Sequence, residues 1–335
     1  MNILLTSVGR RGYLVRYFKD ALGDNGLVMA ANSMLRTTGM LAADKCFVVP
    51  KVDDQDYIEK LLEICINYNV QLVVSLFDID LPYLARARSE FLQIGVQVAV
   101  SDPWVIEVAN DKWKTFSFLE SNGFKTPKTY LTIDGVVSAL SKGIESFPLL
   151  IKPRWGMGSL SIFTAENMEE LKFFCGFCRK QISRSYLNIL SSVDFSNSVI
   201  IQQSVRGTEY GLDVFNNLQG EHFTTVVKEK LDMRSGETDA AITVENETLN
   251  SLGLKLSYCL KHRGNLDVDV IVAEDNEPYI LELNCRFGGG YPFSHLAGVN
   301  FPKALIEMAN NKQPKRDVVQ IGVIGLKNIV PLRFS

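Results

Sequence analysis

A chain of 335 residues, 46% hydrophobic and 22% charged, can build two or three domains around a substantial core and has an ordinary globular composition. Its net charge of −3 supplies no field to draw in nucleic acid or a membrane surface, and no apolar run approaches the roughly 18 residues of a membrane span. The start, Met1-Asn2-Ile3-Leu4-Leu5-Thr6-Ser7, lacks the basic and long apolar regions of a signal peptide, and six scattered cysteines suit a reduced compartment, so a cytoplasmic protein is expected.

Residues 1–109 alternate as βα units do. Strands are expected at 2–7, 27–31, 45–49, 71–75 and 97–100, with helices at 13–22, 56–67 and 81–94. Such alternation predicts a Rossmann-like domain, a mainly parallel sheet that binds ligands beyond the carboxyl ends of its strands. Three loops fall there: Ser7–Gly12, Asn32-Ser33 and Phe77-Asp78-Ile79-Asp80. The first lacks G-x-G-x-x-G, yet Arg10 and Arg11 beside a helix N-terminus suit an anion as well as they suit a plain tight turn. Asp102-Pro103 interrupts the pattern, and a helix is expected over 110–122.

Residues 110–198 read as a small α/β lid, with a strand at 147–152, a glycine-bearing loop at 153–161 and a helix at 165–182. Residues 199–335 read as an antiparallel sheet with helices on one side. Its strands are expected at 199–203, 210–216, 223–230, 266–273 and 278–283, with two short ones between 317 and 333. The class is therefore α/β, becoming α+β in the C-terminal part. Cys175-Gly-Phe-Cys178 has metal or redox spacing but lies in an amphipathic segment without a second pair, and is expected to be structural. The three histidines have no zinc or Ser-His-Asp context.

The most informative stretch is Tyr279-Ile-Leu-Glu282-Leu-Asn284-Cys-Arg286-Phe-Gly288-Gly289-Gly290. Alternation places Glu282, Asn284 and Arg286 on one side of a strand, where a core has no use for three strongly polar groups. A carboxylate and an amide oxygen beside an arginine suit a hard divalent cation held against phosphate. A hairpin turning at 274–277 brings Asp269 beside Glu282.

Upstream, Leu149-Leu-Ile-Lys152-Pro is an apolar strand ending in lysine. The loop after it, with Gly156, Gly158 and Ser159, lets backbone N–H groups approach phosphate oxygens. It is not a Walker A loop. Lys112 opens a helix, the strand bearing Gln202 and Gln203 runs through Val205 into a linker, and Glu209 offers a carboxylate to ribose hydroxyls. Lys228, on a later strand, is a further candidate for phosphate.

In this order the motifs make the chain resemble the ATP-grasp superfamily over nearly its whole length, and within it the carboxylate–amine ligases related to the carbamoyl-phosphate synthase large subunit. The resemblance implies the ATP-grasp fold and assigns roles. Lys112 and Lys152 would contact ATP phosphates, the loop 156–161 would close over them, the backbone from Gln203 to Val205 would cradle adenine, and Glu209 would hold the ribose. Asp269, Glu282 and Asn284 would bind Mg²⁺, with Mn²⁺ an alternative, while Arg286 with Lys152 and Asn284 would serve the transferring phosphoryl group. The chain departs from the pattern at Gln202, where an acidic residue is common, and at Cys285, where proline is common.

The implied chemistry is transfer of the ATP γ-phosphoryl group to a carboxylate, then attack by an amine, with release of ADP and phosphate. Alternatives are formation of carboxyphosphate or carbamate, as in the synthase, and a non-catalytic ATP-binding sensor. Arg10, Arg11, Asp78, Asp80, Arg286, Gly288 and Gly289 are the candidates for substrate contacts. A basic and an acidic group there favour small, amino-acid-like carboxylate and amine partners, and a homodimer is compatible with the sequence.

Overall fold

The computed structural model describes residues 1–156, 160–234 and 236–334. The first unit comprises β1 (Asn2–Thr6), α1 (Gly12–Leu22), β2 (Val28–Asn32), α2 (Thr38–Ala42), β3 (Lys45–Val48), α3 (Tyr57–Asn67), β4 (Val70–Ser75), α4 (Leu81–Gln93) and β5 (Gln97–Val98). All its strands pair in parallel, in the order β3-β2-β1-β4-β5. β1 is covered on both faces: Leu4 joins the core that includes α3 and α4, while Ile3 and Leu5 join the one beneath α1. The order reverses between β1 and β4, so the loops leaving these strands diverge and open a crevice.

The next two helices, α5 (Pro103–Asn110) and α6 (Lys112–Ser121), correct the expected single helix at 110–122. Pro103 starts α5, a position where its missing N–H costs nothing. Asp111 is extended (φ −108°, ψ 104°) between the two helices. Its carboxylate caps α6 by accepting from the backbone N–H of Trp113 and Lys114 at 3.0 and 3.3 Å, which fixes Lys112 in the first turn.

The lid consists of β6 (Thr129–Tyr130), α7 (Ile133–Ser141), β7 (Leu149–Pro153), β8 (Phe163–Ala165), α8 (Met168–Ser183), α9 (Leu187–Ser191) and β9 (Val199–Gln203). Its antiparallel sheet has the order β6-β9-β7-β8. Residues 199–203 were expected in the C-terminal sheet. They belong here instead, because a short apolar strand reads alike in either sheet and the pairing edge decides. Leu149, Ile151, Leu171, Ile182, Val199 and Ile201 form a core confined to the lid. Cys175 and Cys178 lie buried on α8 as free thiols. Burial raises their pKa values to about 11 and about 12, the state of inert core cysteines.

The last unit holds β10 (Gly207–Asn216), β11 (His222–Arg234), β12 (Glu237–Thr243), α10 (Glu247–Leu260), β13 (Gly264–Ala273), β14 (Pro278–Asn284), α11 (Tyr291–Leu296), α12 (Phe301–Ala309) and β15 (Ile324–Leu326). The antiparallel order is β14-β13-β10-β11-β12-β15. Of the two strands expected between 317 and 333, only β15 forms, against β12. Leu212, Val214, Val227, Val268 and Val270 share one core with α10 and with Leu4 and Leu84 of the first unit. Among the described residues no helix is long and apolar enough to cross a membrane.

One ion pair ties the lid to this body. Arg154, just past β7, bonds Asp111 through Nε to Oδ1 and Nη2 to Oδ2, both at 2.7 Å, and reaches Asp194 at 3.1 Å. The backbone N–H of Lys112 donates to the carbonyl of Arg154 at 3.1 Å. Lys112 and Lys152, far apart in sequence, are thereby fixed to one joint. Arg154→Leu leaves Asp111 buried and unpaired and is expected to cost about 3–5 kcal/mol. Adding Asp111→Asn keeps a capping oxygen, removes the orphaned charge and should recover part of the loss. Urea unfolding of both variants checks this; a double variant no more stable than the single would show that the pair does not hold the joint.

Candidate active site

β13 and β14 pair as a hairpin, with Asp269 opposite Glu282 and Asp267 opposite Asn284. The alternation is broken once. Val270 pairs with Ile280 and Asp269 with Glu282, so Leu281 is an extra, bulged residue. The bulge lets Ile280 and Leu283, three apart, both enter the core. Glu282 and Asn284 then share the opposite face with Asp267 and Asp269. Strict alternation would have turned Glu282 to the side of Ile280. By register, Glu209, Gly211 and Asp213 of β10 and Lys228 and Lys230 of β11 lie on the same face.

The carboxylates on this face are compensated by lysines. Lys230 Nζ lies 2.7 Å from Asp269 and 3.6 Å from Glu209. Burial works against its ammonium, but Asp269 and Glu209 outweigh burial and hold its pKa above the ordinary lysine value. Lys112 Nζ lies 3.2 Å from Glu282 and also donates to the carbonyl of Gly156. Lys152 is buried at the end of β7, where burial, then the neighbouring Lys112, lowers its pKa to about 8. Asn284 is only 7% exposed, yet its amide bonds to no described residue.

At the end of β14, Arg286 donates from Nε to Asp78 at 3.0 Å and from Nη1 to Asp267 at 2.7 Å. Burial opposes its charge, and the two carboxylates overcome that and raise its pKa. One oxygen of Asp78, Oδ1, is buried without a partner among the described residues. Arg11 donates to the carbonyl of Phe287. Gly288 passes so close to Asp267 that an added Cβ would fall 2.1–2.4 Å from its carboxylate, so no larger residue fits.

Several expected contacts are arranged otherwise. Asp80 is fully buried and accepts from Thr6 at 2.7 Å, Ser7 at 2.8 Å, Tyr57 at 3.0 Å and Ser75, so it braces the crevice and is enclosed away from any substrate amine. Arg10 is exposed, and Arg11 alone of the pair reaches the site. Lys228 is buried against Asp213 and Ser294, which leaves Lys230, one pleat further along, beside Asp269. Gln202 turns into the lid, where it donates to Thr129 at 2.9 Å, and Gln203 accepts the Lys128 N–H at 3.2 Å. Val205 is half-buried in the connection between β9 and β10, as is Glu209 on β10. Gly158 and Ser159 lie outside the described residues.

Sequence reasoning missed Lys230, Asp267 and the Asp111–Arg154 joint. The first two carry a signal, since each stands two residues from a singled-out position on the same strand. The joint carries none, because its partners come from separate elements.

Residues 109–290 match the family model described as ATP-grasp domain, and residues 3–99 match that of the PylC-like N-terminal domain. A carbamoyl-phosphate synthase from Methanobrevibacter smithii is 25% identical over 286 residues, covering 82% of this chain and 72% of that protein. D-alanine–D-alanine ligase B from Clostridium perfringens is 23% identical over 322 residues, covering 87% and 99%. The biotin carboxylase domain of the Hydrogenobacter thermophilus 2-oxoglutarate carboxylase, solved with MgADP and bicarbonate, shares the fold with a TM-score of 0.76 at 14% identity, covering 96% of this chain and 73% of that one. The strand order, the lysines gathered on a carboxylate face and a model match over more than half the chain agree, and the protein belongs to the ATP-grasp family.

Proposed function

We propose that this protein is an ADP-forming ligase that activates a small carboxylate with ATP and joins it to an amine. The observation that carries the reading is the convergence of Lys112, Lys152 and Lys230 on Asp269 and Glu282, with Arg286 at the end of the same strand. In this reading Lys112 and Lys152 bind the ATP phosphates. Glu209 accepts the ribose hydroxyls, and the backbone from Gln203 to Val205 lies along adenine.

Two carboxylates and an otherwise unbonded amide on neighbouring strands are hard oxygen donors, which fit Mg²⁺ and would also accept Mn²⁺. Asp269, Glu282 and Asn284 would hold that ion, which when bound neutralises phosphate charge and aligns the transferring group. Lys112 and Lys230 then pass from these carboxylates to phosphate oxygens. A substrate carboxylate oxygen attacks the γ-phosphorus as the bond to ADP breaks, and Arg286 neutralises charge on the acyl phosphate. The amine attacks the acyl carbon, phosphate leaves, and the amine proton passes to solvent. The unpartnered oxygen of Asp78 offers an acceptor to an ammonium group, which supports amino-acid-like partners. Because one relative is a carbamoyl-phosphate synthase, bicarbonate is the second carboxylate to test.

Lys152→Ala and Glu282→Ala are each expected to abolish carboxylate-dependent ADP formation in a screen of amino acids taken pairwise. Wild-type turnover in either variant would refute the assignment. ADP release with bicarbonate alone would select the second reading, and ATP binding without turnover would mark a sensor.

Protonation of Lys152 gives a further check. Its lowered pKa means the ammonium is present below about pH 8 and is lost above it. The KM for ATP should therefore be lowest below pH 8 and climb about tenfold per pH unit above it. Lys152→Arg, which stays charged, should flatten the rise, and an unchanged profile would remove Lys152 from phosphate binding.

A further inference from the structure

Beyond the metal strand the backbone runs through three glycines, 288–290, between two cations that the chain itself leaves poorly compensated. Arg11 approaches from the first unit and donates to the carbonyl of Phe287. Lys327, just past β15, approaches from the other side: a Cβ built on Gly289 would have Lys327 Nζ, at 3.6 Å, as its nearest neighbour.

Among the described residues no carboxylate lies within ion-pair distance of Arg11, and the nearby Asp78 and Asp267 are both bonded to Arg286. Burial lowers the pKa of Arg11, and Arg286 lowers it further. Among the described residues Lys327 has one ion-pair partner, Glu237, at 3.5 Å, whose side chain is 68% exposed, and otherwise lies 5.8 Å from the centre of the Phe293 ring, a weak contact that leaves its charge unmatched. Burial lowers the Lys327 pKa as well, and Arg11 adds to the effect against the pull of Glu237 and Asp239. The phenol of Tyr13 shares this corner and feels the charges of Arg11, Glu237 and Arg286.

Both side chains are half-buried, and withdrawing a cation even partly from water without a close counter-ion is costly, more so for two together. Propping the Phe287 carbonyl would need only a neutral donor and would not call for Lys327. The absence of side chains at Gly289 leaves room for a small group between the cations.

We propose that Arg11 and Lys327 hold a second anionic group of the substrates, apart from the carboxylate that is phosphorylated. This rests on the ligase reading, in which Arg286 serves the reacting carboxylate. The second anion belongs either to the far end of the carboxylate substrate or to an amine substrate that is itself an amino acid.

Two matched pairs of probes separate these sources: L-glutamate with L-glutamine, and glycine with glycinamide. Binding is read as a thermal shift titration on the full chain in the presence of MgADP. The anionic member of one pair should bind about tenfold more tightly than its amide, as expected for an anion held jointly by two half-buried cations. The difference should shrink to within about twofold in Arg11→Met and in Lys327→Met. Because Lys327 is half-buried at a sheet edge, its variant keeps the test valid if Arg11→Met fails to fold. Discrimination in the first pair places the anion on the carboxylate substrate, and in the second pair on the amine substrate. No discrimination in either pair, or discrimination that survives both substitutions, overturns the proposal. Carboxylate-dependent ADP release is measured on the same proteins. Discrimination without ADP release keeps the anion site and removes the ligase reading, whereas ADP release without discrimination does the reverse.

Discussion

The pairing of Lys112 with Glu282 and of Lys230 with Asp269 is what allows this sheet to gather so many carboxylates on one face. Glu209, Asp213, Asp267, Asp269 and Glu282 lie on one face, where mutual repulsion would oppose folding if each stood alone. The lysines answer that repulsion in the free protein. In the proposed reaction the same lysines turn to phosphate while a cation takes over the carboxylates, so ligand binding exchanges partners and each incoming charge meets an opposite one already in place. Nucleotide alone would strip the carboxylates of their counter-ions, and metal alone would strand the lysines. Each therefore favours the other, a coupling that follows from charge balance.

The scaffold holds this balance through two devices. The first and last units share apolar cores, so the crevice loop bearing Arg11 and the segment after β14 bearing Arg286 move as one body. Asp80 adds rigidity by gathering four hydroxyl donors from β1, β4, α3 and the loop between them. The bulge at Leu281 then sets the phase of β14, placing two apolar side chains inward and two polar ones outward within five residues.

The parallel sheet is legible in the sequence because its strands and helices alternate with strong, distinct periods. The hairpin of Asp269 and Glu282 is legible because a polar turn separates two apolar runs. What stays hidden depends on partners. Whether 199–203 joins the lid or the body is decided by an open sheet edge, and the composition of that segment does not encode it. Asp78 and Asp80 look alike in sequence, yet one faces Arg286 and the other is enclosed by hydroxyls, a difference made by which neighbours the fold delivers. Lys228 and Lys230 share a face, and Asp213 together with Ser294 on a distant helix claims the first and leaves the second beside Asp269.

The lid has an apolar core of its own, joined to the body through the backbone and the Asp111–Arg154 joint. A segment with a private core has a private opening free energy, below that of the whole molecule. Its amides should exchange with solvent as one cooperative block while those of the two larger sheets stay protected. The candidate active site lies at the seam between a durable body and a less durable flap, so the lifetime of its assembled state is governed by the smallest of the three sheets.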